Sequence, residues 1–176
     1  MRIVSHEEQW EYLKKASVLV HDVALVIVET GMRPEEVFRL RAEEVNLAHR
    51  YLKITKGKTR FARRNVPLTE SAADILKQRI AKAKGPYLFP HRSDPNRPQN
   101  NIDRGHHKTV REAGIQSPFR LYDFRHMGHS SITTTMRYVH PTPEHKRKAV
   151  DKLEQFNFAQ MSARTEQRES LQKSLQ

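Results

Sequence analysis

The decisive stretch of this sequence is residues 128–140, which read Gly128-His129-Ser130-Ser131-Ile132-Thr133-Thr134-Thr135-Met136-Arg137-Tyr138-Val139-His140. It brings His129 and Tyr138 close together along a chain with a formal net charge of +12. A tyrosine hydroxyl titrates near pH ~10 and is a poor nucleophile unless cations and hydrogen-bond donors surround its target. Four basic side chains upstream are candidates for those cations: Arg33, Lys56, Lys58 and Arg125. The stretch therefore predicts a nucleophilic tyrosine that acts on an anionic group.

The composition points to a nucleic-acid partner. The 32 lysines and arginines outnumber the 20 aspartates and glutamates, and such an excess favours a polyanion, most often nucleic acid. A soluble basic protein without that function, or a ribosome-associated one, is the alternative. At 176 residues the chain is expected to form one domain whose core is stable without disulfides or metals. The absence of cysteine excludes a disulfide framework and a thiolate metal site.

No segment predicts a membrane span. The longest apolar run, residues 18–28, is interrupted by His21 and Asp22 and is too short to cross a bilayer. No apolar signal segment with a charged front opens the chain, so the cytoplasm is the expected compartment.

The first part of the chain predicts three helices. Ser5 to Glu8 has the pattern of a capping box, and the helix that follows is expected to reach about residue 16 with Trp10 and Leu13 on its inner face. Residues 18–30 are apolar nearly all round, which indicates a buried helix that ends at Gly31. A third helix is expected over residues 34–41, with the preceding Arg33 and the free N–H groups of its first turn directed at one anion.

Residues 51–55 and 63–68 predict two strands of a basic β-hairpin with glycine in its turn. Its lysines and arginines fit contact with a phosphate backbone. A charged edge that discourages aggregation is the competing interpretation.

The remaining elements are a helix over residues 70–84 capped by Thr69 and stopped by Gly85, a loop over residues 90–100, and a helix over residues 101–113. The adjacent His106 and His107 are expected to point apart and not to form a metal pair. Asp123 is expected to be a helix N-cap. A last helix is expected to begin at Thr142.

Four motifs then occur in the order typical of one family. They are Thr30-Gly31-Met32-Arg33-Pro34-Glu35-Glu36, the hairpin that ends Arg64-Asn65-Val66-Pro67-Leu68, the box Tyr122-Asp123-Phe124-Arg125-His126, and the final stretch with Gly128-His129-Ser130-Ser131 and Thr134-Thr135-Met136-Arg137-Tyr138. In these motifs, from about residue 2 to residue 153, the chain resembles the tyrosine recombinases, also called the phage integrase family.

The resemblance implies a mainly α-helical catalytic domain with a small antiparallel β-hairpin sheet, an α+β fold similar to the family's C-terminal domain. We expect this domain over residues 1–155, and a polar tail or exposed helix over residues 156–176 that either packs on a neighbouring subunit or is disordered. The family's separate N-terminal DNA-clamping domain has no counterpart in this sequence, so DNA affinity is expected to be lower than with such a domain.

The resemblance also implies a site-specific DNA recombinase or integrase that cleaves and rejoins strands through a 3′-phosphotyrosyl intermediate, without metal, cofactor or ATP. Tyr138 would attack phosphorus and expel the 5′-hydroxyl. Arg33 and Arg125 would bind the non-bridging oxygens, whose geometry planar guanidinium groups match. The other implied roles are Lys58 as the acid for the leaving oxygen, His129 and Tyr122 as hydrogen-bond partners of the phosphate, and Lys56, Arg60, Arg63 and Arg64 as DNA contacts. Double-stranded DNA is the implied partner, with a tetramer on DNA and a nucleoid-associated location.

Two departures from the family pattern leave alternatives open. Tyr122 stands where histidine is usual, and a phenol with a pKa of ~10 mainly donates a hydrogen bond instead of accepting a proton. The link from Arg125 to His129 is short, spanning at most about 14 Å, and lacks a helix and turn that the family has there. A DNA-binding module with impaired or no catalysis is therefore one alternative, and a type IB topoisomerase-like nicking-closing enzyme is another.

The approach to Tyr138 contains three consecutive threonines, and β-branched residues hold a helix weakly. Residues 131–140 are therefore expected to be mobile without DNA.

Overall fold

The computed structural model describes residues 4–55, 63–116, 119–126, 147 and 150–155, with the side chains of Arg125 and His126 excepted. The chain divides into two compact units, Met1–His140 and Pro141–Gln176. In the second unit the described residues 147 and 150–155 are helical. The predicted division after residue 155 stays a prediction, because residues 156–176 lie outside the described part.

The described elements of the first unit are mostly helical, as predicted. In chain order they are α1 (His6–Lys15), α2 (Val18–Thr30), α3 (Pro34–Phe38), a 3₁₀ turn (Ala42–Glu44), β1 (Val45–Asn46), β2 (Tyr51–Ile54), β3 (Arg64–Pro67), α4 (Glu70–Lys82), β4 (Pro90–His91), β5 (Asp94–Pro98), α5 (Asp103–Glu112) and a 3₁₀ helix (Leu121–His126). Within the described ranges no helix is long and apolar enough to cross a membrane.

Helix α2 is the centre of the core. It contacts α1, α3, α4 and the 3₁₀ helix Leu121–His126, which explains why its sequence is apolar nearly all round. Val23, Ala24, Val26 and Ile27 have no exposed surface. As predicted, Gly31 ends the helix: it has a left-handed φ of 64°, and its N–H donates to the Ile27 carbonyl.

One polar bridge ties α2 to α4. The Arg79 guanidinium lies 2.7 Å from the Asp22 carboxylate and stacks over the Phe89 ring at 5.1 Å from the ring centroid. The Asp22 that interrupts the apolar run is therefore the partner of a cation on the neighbouring helix.

The basic hairpin is part of a three-stranded antiparallel sheet, in the order β1-β2-β3. Leu52 pairs with Val66 and Ile54 pairs with Arg64. Leu52, Ile54 and Val66 are buried in the core, so the sheet has one apolar face and holds the two ends of the basic turn in a fixed register. The short strand β1, which pairs with β2 at Val45 and Leu52, was not predicted.

Three details of the predicted helices are wrong. Trp10 is 43% exposed, and the buried residues of α1 are Gln9, Tyr12 and Leu13. Helix α3 ends at Phe38 instead of residue 41. Helix α4 ends at Lys82 with Ala83 as its C-cap. Gly85 instead lies against the Pro95 carbonyl, where a Cβ would clash, so it is required by a close approach to the β5 strand.

The predicted loop over residues 90–100 is also wrong, because β4 and β5 pair there as an antiparallel hairpin. The prolines of this segment suggested a loop, but proline is tolerated at edge-strand positions where no partner strand needs a backbone N–H. The paired prolines Pro90 and Pro98 stand at one end of this two-stranded sheet.

Helix α2 has a buried valine at position 23 and an exposed one at position 18, so the same valine-to-alanine substitution can be compared at both positions. Val23→Ala, at a fully buried position, is expected to lower the free energy of unfolding by about 2–3 kcal/mol, from lost apolar burial and the cavity left behind. Val18→Ala, in the same helix but 76% exposed, is expected to change it by less than about 0.5 kcal/mol. Urea denaturation of both variants measures the difference, and equal losses would contradict α2 as the core helix.

Candidate active site

Arg33 lies in the short connection between the core helix α2 and helix α3. It is the N-cap of α3, directly after the left-handed turn that ends α2. Its side chain is 46% exposed, so its guanidinium is accessible from solvent. Its backbone N–H, however, donates to the Glu36 carboxylate at 2.8 Å. This N–H is therefore not available to the anion that the sequence predicted at this helix start, because it already donates to a side chain of the protein.

Glu36 joins Arg33 to the basic hairpin. The Arg64 guanidinium donates twice to this carboxylate, from Nη1 to Oε1 at 3.0 Å and from Nη2 to Oε2 at 2.9 Å. The Nη1 of Arg33 lies 3.5 Å from Oε1 of the same group. A bidentate Arg–carboxylate contact fixes both the position and the orientation of the two side chains. Strand β3, which carries Arg64, is therefore held in a fixed position against the Arg33 box, which carries Glu36.

The environment of Glu36 holds it in its charged form. Its side chain is only 14% exposed, and this burial by itself raises the pKa of the carboxyl. The hydrogen bonds from Arg64 and from the Arg33 backbone, together with both guanidinium charges, outweigh burial, so the pKa lies below its ordinary value. Glu36 thus remains an anion between two arginines.

The structure places the two described hairpin arginines differently. Arg63 is exposed, whereas Arg64 has a protein partner in Glu36. The predicted contact of Arg64 with DNA stays a prediction.

The second box lies on the 3₁₀ helix Leu121–His126. Tyr122 is 37% exposed, while the neighbouring Asp123 and Phe124 are buried. Asp123 is not the N-cap that the sequence predicted. Its carboxylate accepts from the Arg120 N–H at 2.8 Å, and its own N–H donates to the Arg120 carbonyl at 2.8 Å. This reciprocal pair closes the turn that presents Tyr122 and carries the backbone of Arg125.

Several predicted site residues lie outside the described part of the chain. They are Lys56, Lys58 and Arg60 in the hairpin turn, and His129 and Tyr138 in the decisive stretch, whose predicted mobility over residues 131–140 also falls there. The described residues bring together Arg33 and Arg64 at Glu36, and they place Tyr122 and Arg125 on one short helix that packs against α2.

Sequence reasoning missed three residues that support the site: Glu36, Tyr12 and His106. The sequence did contain a signal for Glu36, because an acidic residue three positions after the N-cap matches the spacing of a capping box. Tyr12 and His106 are hydrogen-bonded to each other across 94 positions of sequence, and no local pattern announces such a pair. Of the two adjacent histidines, His106 is buried and His107 is exposed. The expectation that they point apart is not met, because their ring centroids lie 5.5 Å from each other. Among the described residues no cluster of acidic or histidine side chains is arranged to hold a metal ion.

Glu36→Gln tests the junction. Arg64 would keep a half-buried charge opposite a neutral amide, so the free energy of unfolding at pH 7 is expected to fall by about 1–3 kcal/mol. Because the folded-state pKa of Glu36 is lowered from its ordinary 4.5, the carboxylate's contribution is complete above about pH 4.5 and is lost as pH falls through the folded-state value. Urea denaturation across this pH range should therefore show the difference between wild type and variant shrinking in acid.

The matched control is Glu43→Gln. Glu43 also pairs with an arginine, Arg41 at 3.3 Å, but its side chain is 72% exposed. This variant is expected to change stability by less than about 0.5 kcal/mol. A loss as large as that of Glu36→Gln would mean that charge in general, and not the junction, is responsible.

Comparison with known proteins finds relatives in sequence and in fold. A tyrosine recombinase of Pseudothermotoga lettingae is 28% identical over 145 residues, covering 70% of this chain and 50% of the relative. XerA recombinase has a similar fold, with a TM-score of 0.61 at 20% identity over 77% of this chain and 50% of its own. The Tn1549 transposon integrase in complex with transposon right end DNA gives a TM-score of 0.62 at 15% identity, over 76% and 54%.

The chain thus spans about half the length of the curated relative it matches. The model of the phage integrase family matches residues 4–127, from the start of the described core through the second box. That match ends before His129 and Tyr138. Because it covers most of the sequence, this chain belongs to the phage integrase family, the tyrosine recombinases.

Proposed function

We propose that this chain is the catalytic domain of a site-specific DNA recombinase or integrase. The observation that carries the proposal is the junction at Glu36, where the accessible Arg33 guanidinium and the strand leading from the basic turn both contact one carboxylate. Helix α2 contacts both α3 and the 3₁₀ helix of the second box. One rigid element thereby supports the segments that carry both proposed phosphate-binding arginines.

The proposed reaction is a transesterification at a DNA phosphodiester. The Tyr138 oxygen forms a bond to phosphorus while the bond from phosphorus to the 5′-oxygen breaks, and the tyrosine proton passes to solvent water. Lys58 donates a proton to the leaving 5′-oxygen. Arg33, Arg125, His129 and Tyr122 stabilise the charge on the non-bridging oxygens, and removal of one such preorganised donor typically costs about 10²–10³ in rate.

Rejoining is the same step in reverse with another 5′-hydroxyl as nucleophile. The 3′-phosphotyrosyl bond conserves the energy of the phosphodiester, so this chemistry requires no ATP.

Double-stranded DNA is the proposed partner. The net charge of +12 supports it, and the Tn1549 integrase of similar fold has been solved in complex with DNA. Arg63, Lys56 and Arg60 of the hairpin are proposed contacts to the phosphate backbone, as is Arg64 beyond its bonds to Glu36. A tetramer on DNA, a nucleoid-associated location in the cytoplasm and a tail over residues 156–176 are proposed with it.

Tyr122 favours a second candidate, a DNA-binding module of the same fold with little or no catalysis. It is exposed at the position where the family usually has histidine, and a phenol does not accept a proton near neutral pH. This candidate predicts salt-dependent binding of DNA without a covalent product. A type IB topoisomerase-like enzyme would instead relax supercoiled plasmid without strand exchange.

Tyr138→Phe tests the proposed nucleophile. The probe is a pool of nicked duplexes of randomised sequence, in which the short 5′-hydroxyl fragment released by cleavage diffuses away and the covalent adduct accumulates. Wild type is expected to form an adduct that withstands denaturing electrophoresis, and Tyr138→Phe is expected to form none, because the ring then lacks the attacking oxygen.

The control is Tyr87→Phe, which removes a hydroxyl that accepts a hydrogen bond from Arg41 and should leave adduct formation unchanged. Adduct from Tyr138→Phe at the wild-type level would show that another residue is the nucleophile. Binding without adduct by wild type would favour the non-catalytic module.

Arg63→Ala tests the hairpin as a DNA contact. An exposed arginine that neutralises one phosphate releases about one counterion, so its loss should reduce the slope of log K against log[salt] by about 0.9. Fluorescence anisotropy with a labelled duplex over a salt series measures the slope. The control is Arg97→Ala, an exposed arginine on β5, which should leave the slope unchanged. An equal effect of both variants would indicate diffuse attraction instead of a contact at the hairpin.

A further inference from the structure

A buried polar pair lies beneath the second box. His106 of α5 is 4% exposed, and Tyr12 of α1 is fully buried. The Tyr12 hydroxyl lies 2.8 Å from Nδ1 of His106, and the other ring nitrogen, Nε2, lies 2.8 Å from the Phe119 carbonyl oxygen. Both nitrogens of a buried imidazole are therefore used, one toward α1 and one toward the segment that leads into the second box.

The chemistry of these partners fixes the positions of the protons. A carbonyl oxygen can only accept, so Nε2 must carry the hydrogen that goes to Phe119. In the neutral ring Nδ1 is then the acceptor, and the Tyr12 hydroxyl donates to it. Each polar group is satisfied only in this tautomer.

The Phe119 carbonyl is directly connected to the turn of the second box. The next residue, Arg120, exchanges backbone and carboxylate hydrogen bonds with Asp123. The Phe119 and Phe124 rings on either side of that turn both pack edge-on against Tyr12, with centroids 5.5 Å and 4.9 Å away. The Tyr12–His106 pair thus holds both ends of the turn that carries Tyr122.

We propose that His106 is a positioning residue for the second box: its Nε2–H bond to Phe119 holds residues 119–126 in the arrangement that presents Tyr122 and carries the backbone of Arg125, and protonation of its ring disrupts the hydrogen bond that Tyr12 donates to Nδ1. The catalytic part of this inference rests on the proposed recombinase function. The structural part concerns the protein without DNA.

Protonation disturbs the pair because of what surrounds it. Adding a proton at Nδ1 would place a hydrogen against the Tyr12 hydroxyl, which must turn and leave its own hydrogen without this acceptor. Burial lowers the pKa of His106 most, and the neighbouring His107 lowers it further. The Phe119 carbonyl, Asp103 and Asp123 act in the opposite direction without overcoming burial. Burial also raises the pKa of Tyr12, so its phenol stays protonated and available as the donor.

The sign of the pH effect follows from the lowered pKa. The folded state binds the proton less readily than the unfolded chain, so the stability from neutral His106 is complete above about pH 6.5 and is lost as pH falls through the folded-state value. The segment at residues 119–126 should therefore loosen in mild acid.

Two isosteric variants separate the two hydrogen bonds of His106. In His106→Gln the side-chain N–H₂ reaches the position of Nε2 and can still donate to Phe119. In His106→Asn the shorter amide can reach only the position of Nδ1, toward Tyr12. Neither variant titrates, and His107→Gln is the matched control on the exposed neighbour.

Hydrogen exchange of the 176-residue chain without DNA measures the structural part. The Asp123 amide is the reporter, since it donates to the Arg120 carbonyl within the turn. At pH 8, His106→Asn is expected to exchange there about tenfold faster than wild type, because the Phe119 carbonyl loses its hydrogen bond from position 106. His106→Gln is expected to be slower than His106→Asn, and His107→Gln to match wild type. After correction for intrinsic rates, wild type should lose protection below about pH 6.5, and His106→Gln should not.

Covalent adduct formation on the nicked duplex pool at pH 8 measures the catalytic part. His106→Asn is expected to lower the single-turnover rate at saturating protein about tenfold, with a smaller change in DNA affinity, and His106→Gln is expected to retain more of the rate. Equal exchange at Asp123 in all variants, or a ¹⁵N spectrum showing the Nδ1–H tautomer, would overturn the inference by itself. Normal exchange effects without any adduct from wild type would instead overturn the proposed function and, with it, the catalytic part alone.

Discussion

The described part of the site depends on one carboxylate that is kept charged between two arginines. Glu36 accepts from Arg33 and Arg64, which come from separate motifs, and it lies mostly out of solvent. Removing a charge from water is costly unless its hydrogen bonds are replaced. Here they are replaced by a two-pronged guanidinium contact and a backbone N–H, so the same bonds that satisfy the anion also determine where the hairpin stands relative to the Arg33 box.

This junction is effective because its supports are rigid. On one side, β3 is held in register by the pairing of Leu52 with Val66, and both side chains are buried. On the other side, α3 follows the left-handed turn at Gly31, which ends the central helix α2. The guanidinium of Arg33, proposed to bind a phosphate, would benefit from such support, because entropy given up in folding is not given up again when the reaction occurs.

The second box is supported in a different way. Its 3₁₀ helix has only a short run of backbone hydrogen bonds, so side chains hold it in place. The Asp123 carboxylate accepts a hydrogen bond from the start of the turn, and the rings of Tyr12, Phe119 and Phe124 pack against one another beside it. Edge-on aromatic contacts and a buried histidine give this turn a packed base. The first box thus depends on an ion pair near the surface, and the second depends on apolar burial with a few polar bonds enclosed in it.

The sequence by itself determined the family, the helical class, the apolar helix α2 with its end at Gly31, and the basic hairpin. These depend on local signals, namely hydrophobic period, turn chemistry and ordered motifs. It could not place Trp10 on the solvent side of α1, or find the hairpin of β4 and β5 within residues 90–98, because which face is buried and which strands pair depend on what packs against them. Only the tertiary structure decided that Arg64 faces Glu36 and that His106 meets Tyr12 across 94 positions of sequence. Nothing in the sequence around either residue identifies its partner in such a contact. The two groups come within hydrogen-bonding distance only because the whole chain folds.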